Sequence, residues 1–359
     1  MLIEHGESGD GDRDERGTLV DWSLAATTAS LLVGSGPSVP REVAQQAVSQ
    51  LAEFASPAER HVRELTGLGE QLPLRPATVV DRRGWVRSAA SGLDALTSRA
   101  LSRGYRGPLG GVLAGTAGVQ TGLVLAFLGT KVLGQYDPFG GADGAGGGGR
   151  LLLVAPNVVQ AEQAMRVARA DFRMWVCLHE STHRLQFTAV SWLRDYFSDE
   201  VGRFISAIDD TAANTLSRLP EVLREAKSGL PGPLGVIEAL QSPQQRTAFD
   251  RLIAMSTLLE GHADYVMDAV GPDVVPTVQT IRRRFTERRK GGGLLDRLLR
   301  SLLGVDAKIK QYEHGAAFTR QVIEQVGMDG FNAIWTSPNT LPSRAEIAEP
   351  SAWLRRVHS

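Results

Sequence analysis

Residues 175–187, WVCLHESTHRLQF, constrain this chain more than any other segment. Read as a helix, the segment places His179 and His183, four positions apart, on one face where both imidazoles reach a single cation. Glu180 lies one residue further round, placed to touch water at that cation without itself being a ligand. Trp175, Val176, Leu178 and Leu185 cover the other faces at helical spacing. Two neutral imidazoles, an open coordination position and a carboxylate base are the requirements of zinc-assisted hydrolysis.

Composition narrows the metal chemistry further. Cys177 is the only cysteine among 359 residues, which excludes a disulfide framework and every multi-cysteine zinc site. Any metal is therefore held by His, Asp or Glu, and there are seven histidines. A di-iron site needs a second Glu-x-x-His beside Glu180-x-x-His183, and no other histidine has a glutamate three residues before it. The 39 basic and 40 acidic side chains nearly cancel, which argues against a dedicated nucleic-acid binder.

Two imidazoles leave the site incomplete. Residues 258–268, LLEGHADYVMD, resemble the Glu-x-x-x-Asp segment that supplies the third ligand in gluzincins, and the resemblance implies Glu260 for that role. Asp264, four residues on, is placed to accept a hydrogen bond from a ligand histidine. His262 is the rival ligand, but it sits about 200° round the helix from Glu260, so one helix does not present both to one ion. That leaves His262 as a supporting or substrate-side group. Hydrolysis also needs a donor for the developing oxyanion, and Tyr265, Tyr312 and His314 are candidates.

Along the chain, 1–17 reads as a disordered tail without the apolar core of a secretory signal, so a cytoplasmic location is expected. Residues 18–139 form an N-terminal helical region packed on the core, with Val43, Val48, Leu51 and Phe54 as one buried stripe. Within it, 109–133 is the most apolar stretch. Its glycines, Gln120 and Lys131 favour a glycine-notched core helix over a stable membrane insertion. A flexible glycine-rich loop spans 140–150. The metal-binding core covers 151–270, opening with a strand at 151–155 that stands where a substrate-pairing edge strand is expected. Helical segments follow from 158 to 197 and from 244 to 270. The C-terminal helical region, 271–359, includes RRRFTERRK at 282–290, read as a solvated helix end, and helices at 294–303 and 307–326.

The segments DWSLA (21–25), VLGQYD (132–137), LLVAPNV (152–158), FRMWVCLHESTHRLQF (172–187), LLEGHADYVMD (258–268) and WTSPNTLP (335–342) resemble a zincin-like family well represented in actinobacteria. The resemblance spans nearly the whole chain after residue 18. It implies a mainly α (α+β) fold with an active-site helix and a small sheet. It also implies zinc-dependent hydrolase or peptidase chemistry, with His179, His183 and Glu260 on Zn²⁺ and Glu180 as base. The substrate would be a peptide or another carbonyl compound. One subgroup is associated with deazaflavin coenzyme biosynthesis. An alternative in that setting is a catalytically silent zincin scaffold that binds a partner protein.

Overall fold

A computed structural model describes residues 20–101, 112–140, 149–206, 243–290 and 305–358. The tail 1–17, most of the glycine loop and the helix read at 294–303 lie outside these residues. Helices dominate: α1 (Trp22–Leu32), α2 (Arg41–Thr66), α3 (Arg82–Leu101), α4 (Val112–Gly129), α5 (Ala155–Met165), α6 (Arg169–Ala189) and α7 (193–206). After them come α8 (Pro243–Ala269), α9 (Val278–Lys290), α10 (Val305–Phe331), α11 (Arg344–Ala348) and α12 (Pro350–Val357). Three short strands, β1 (Thr78–Val80), β2 (Gly134–Asp137) and β3 (Arg150–Val154), make one sheet in the order β1-β3-β2.

The run 151–155 is therefore the central strand and not the edge. β1 pairs with β3 in parallel and β2 pairs with it antiparallel, with Gly134 opposite Leu153 and Tyr136 opposite Leu151. An unbroken apolar run suits a strand covered on both faces, and β3 is covered on both. Leu153 enters the large core built from α2, α5, α6, α8, α9, α10 and α12. Leu152 and Val154 point the other way into a smaller core with α1, α3 and α4. The two-residue period of a strand thus ties the two cores together.

The stretch read as continuous helix from 158 to 197 is broken twice. Arg166 takes a left-handed backbone (φ 54°) at the end of α5, and α6 stops at Ala189. In α2 the buried stripe also differs from the aliphatic one expected. Leu51, Ala55, Ala58 and Val62 face inward, whereas Val48 is exposed. Small residues serve there because α2 lies directly along α6.

Helix α4 is notched as expected. A Cβ at Gly118 would stand 2.7 Å from the Asp21 carbonyl oxygen, and one at Gly122 would stand 2.7 Å from Thr28 Cβ, so α1 seats on glycine. Only that face is covered, and Val119 and Leu123 on the other remain exposed. Among the described residues, no helix is long and apolar enough to cross a membrane.

Helices α8 and α10 cross at their glycines. A Cβ on Gly261 would meet the Gly315 carbonyl carbon at 2.1 Å, so only glycine allows this approach. The contact fixes the helix that carries Glu260. The basic run 282–290 continues α9, but it is not wholly solvated. Arg282 pairs with Asp264 and Asp268 at 2.9 and 2.8 Å and lies over the Trp175 ring.

Candidate metal centre

Helix α6 is buried on most of its circumference, with Phe172, Trp175, Val176, Leu178 and Leu185 in the large core. Its remaining face brings His179 and His183 together, with Nε2 atoms 3.1 Å apart and ring planes nearly perpendicular. Glu260 arrives from α8, its Oε2 3.6 Å from His179 Nε2 and 3.7 Å from His183 Nε2. One donor atom from each of the three residues lies within 4.8 Å of the others, the spacing of ligands around one ion.

Glu180 is almost fully buried beside them. Burial raises its carboxyl, His183 opposes the shift, Glu260 adds to it, and the result is about 8. Gly134 of β2 packs directly on this side chain. A Cβ there would stand 2.6 Å from Glu180 Cγ and 2.7 Å from Cδ. The edge strand nearest the candidate base is accordingly β2, in the segment VLGQYD, and not the run at 151–155.

Gln186 organises the next layer, and nothing in the sequence reading singled it out. Its Nε2 faces the Leu259 carbonyl oxygen at 3.0 Å, a group that can only accept, so the amide must donate there. The same nitrogen lies 3.0 Å from His262 Nδ1, which therefore accepts. Its Oε1 lies 2.9 Å from His183 Nδ1 and must accept from it. One proton of His183 is thereby held on Nδ1, so Nε2 is the nitrogen that faces His179 and Glu260 and that offers a lone pair once the ring is neutral. The available signal was spacing: residue 186 is three beyond His183, on the same helix face.

Burial on its own would lower His183. The hydrogen bond and charge of Glu260, the charge of Glu180 and the Gln186 bond together outweigh it and raise the imidazole to about 9.

The other expected residues distribute differently. Asp264 does not brace a ligand imidazole; Arg282 Nη1 donates to its Oδ1 at 2.9 Å. Asp264 lies one turn beyond Glu260, and a charge-assisted bond to a guanidinium is stronger than one to a neutral ring. His262 is fully buried behind Gln186, stacked on Phe331 and tilted against Trp335. Burial, and then the charge of His183, lower it to about 3, so it stays neutral. Tyr265 packs against the large core, and His314 is exposed on α10. The Tyr312 side chain lies outside the described residues.

Two imidazoles from one helix, a glutamate from a second and a carboxyl beside them are the donor set of a zincin-type centre. The chain belongs to the zincin-like metallopeptidase family, whose model matches residues 20–354. Among solved structures, one from Chloroflexus aurantiacus, described as "a putative hydrolase with a novel fold", is similar over 95% of this chain and 99% of that one, at 28% identity and a TM-score of 0.67. No curated protein matches the chain.

Proposed function

We propose that this protein is a zinc-dependent hydrolase of carbonyl substrates, and of peptide bonds in particular. The observation that carries this reading is the convergence of His179, His183 and Glu260 beside buried Glu180. The donors suit zinc, since two imidazole nitrogens and one carboxylate oxygen are the ligand set of many catalytic zinc sites. Membership of the zincin-like metallopeptidase family and likeness to a structure described as a hydrolase support the same class.

His179, His183 and Glu260 would hold the zinc, which would supply Lewis acidity to a water or carbonyl oxygen. Glu180 carries the proton: as a carboxylate it accepts one from the attacking water, then delivers it to the leaving group. Burial raises this carboxyl, which suits a group that must both take and give a proton. Gln186 keeps the His183 lone pair on Nε2. β2, at the sheet edge and against Glu180, offers backbone groups to an extended substrate.

Elemental analysis of the purified protein tests the metal, with one zinc per chain expected and His179→Ala reducing it to background. Glu180→Gln should keep the zinc and lose hydrolysis of a peptide and ester panel by about 10²–10⁴-fold. A zinc-free protein, or a Glu180→Gln variant that cleaves like the wild type, refutes the reading.

A further inference from the structure

A cavity of about 460 Å³ opens on the flank of α6 beyond the metal centre, between α2, residues 72–75 and the end of α3. Five guanidiniums line it: Arg63, Arg75, Arg99, Arg184 and Arg194. Two carboxylates share the cavity, and both are already engaged. Glu59 is held by Arg63 and lies 3.1 Å from Arg184, while Asp195 pairs with Arg99. Among the described residues, Arg75 and Arg194 form no ion pair, although Arg194 lies over the Phe139 ring.

Arg184 is the most telling member. It is 3% exposed, and its Nη1 donates to the Arg75 carbonyl oxygen. Its Nε and Nη2 have no hydrogen-bond partner among the described residues, and the same holds for Arg63 Nε and Arg194 Nε. Buried charged donors left without acceptors are costly, and like charges gathered in one cavity repel. A multi-oxygen anion relieves both penalties at once. The helix dipole opposes an anion near the C-terminal end of α6, but by at most about 2 kcal/mol at a partly buried site, under the pull of several guanidiniums.

Position links this cavity to the metal centre. Arg184 stands four residues after Glu180 on the same stripe of α6, about 6 Å along the helix axis. Tyr136, two residues after the Gly134 that packs on Glu180, lies near Arg184, Arg194 and Arg75, whose positive charges act on its hydroxyl. Strand β2 thus runs from the candidate base toward the arginines.

We propose that this arginine-lined cavity is a subsite for an oxyanion, a carboxylate or phosphate, carried by the substrate several bonds from the carbonyl that reacts at the metal centre. The link to substrate rests on the hydrolase reading; binding of the anion itself does not.

The test uses full-length protein, metal-free and zinc-loaded, titrated calorimetrically at low salt with inorganic phosphate, glutarate and uncharged glutaramide. Saturable binding of phosphate or glutarate is expected, with none of glutaramide, and the stronger of the two names the oxyanion. Arg75→Gln combined with Arg194→Gln, both outside the packed core, should weaken binding at least tenfold, roughly the worth of one charge-assisted hydrogen bond. His179→Ala should leave it unchanged. With a cleavable acidic peptide, the double variant should raise KM and spare kcat.

Absence of saturable anion binding, or binding indifferent to the arginine variants, overturns the proposal. Loss of binding in His179→Ala overturns it too, because the anion would then sit on the metal ligands. An inactive but anion-binding protein would sink the hydrolase reading and leave the subsite standing.

Discussion

Replacing Gln186 with leucine tests whether the layer behind the proposed metal ligands sets their chemistry. The side chain is fully buried, and leucine nearly preserves its volume and helix propensity. What disappears is an amide with three partners: His183 Nδ1 at 2.9 Å, and the Leu259 carbonyl and His262 Nδ1 at 3.0 Å each. In the neutral form that binds a metal, His183 then has two options. It keeps the proton on Nδ1 without an acceptor, at about 1–3 kcal/mol, or moves it to Nε2 and loses the metal-facing lone pair. Either route should weaken zinc binding about 10–100-fold, as removal of such supporting partners typically does. His262 Nδ1 also loses its donor, so the metal-free fold should fall by about 2–4 kcal/mol in all.

Glutamate at 186 separates these effects. It can still accept from His183 Nδ1 but cannot donate to Leu259 or His262, so zinc affinity should persist while stability falls. Competition with a chromogenic chelator gives the affinity, and urea unfolding of metal-free protein gives the stability. A Gln186→Leu protein that binds zinc within about twofold of wild type refutes the tautomer assignment; a twofold change is only about 0.4 kcal/mol.

In metal-free protein His183 is raised to about 9, so below that pH zinc must displace a proton. Apparent zinc affinity should rise about tenfold per pH unit between 6.5 and 8.5, and a flat profile contradicts the charged imidazole. His262, lowered to about 3 from 6.5, stays neutral when folded and takes up a proton when unfolded. Its contribution is therefore lost as pH falls below about 6.5, by up to about 1.4 kcal/mol per unit, down to about pH 3. Unfolding midpoints of wild type and His262→Gln should converge across that window; parallel lines would contradict this. Gly261→Ala should destabilise by about 3 kcal/mol or more, because its Cβ would stand 2.1 Å from the Gly315 backbone. Gly115→Ala, where a Cβ meets nothing within 4 Å, should stabilise by the helix propensity gained, about 1 kcal/mol, and so raise the melting temperature. Equal effects of the two substitutions would refute the crossing argument.

Local pattern carried a good part of the reading. Residues 179 and 183 share a helix face by arithmetic alone, and an uninterrupted pattern marks out α8 around Glu260. The two histidines were thus nameable from spacing within one helix, whereas Glu260 was nameable only by likeness to a gluzincin segment, and its approach to them is tertiary. Asp264 and Gln186 show where this stops. A carboxylate four residues after Glu260 is well placed to brace a histidine, yet Arg282 from α9 claims it. Nothing in residues 258–268 could reveal that competitor.

The edge strand shows the same limit, since which strand lies outermost depends on pairing between segments far apart in sequence. The run at 151–155 announces a strand but not its neighbours. Only packing placed β2 beside Glu180 and β3 in the centre. Likewise, the five arginines of the α6 cavity come from α2, the segment 72–75, α3, α6 and α7 and carry no motif.

By itself, then, the sequence determined which two histidines share a helix face, through helix periodicity, and which kinds of metal site its single cysteine excludes. The tertiary structure decided how those side chains are braced, which backbone lies against them and where charge collects. Those features arise between elements, and no local pattern encodes the distance between two helices.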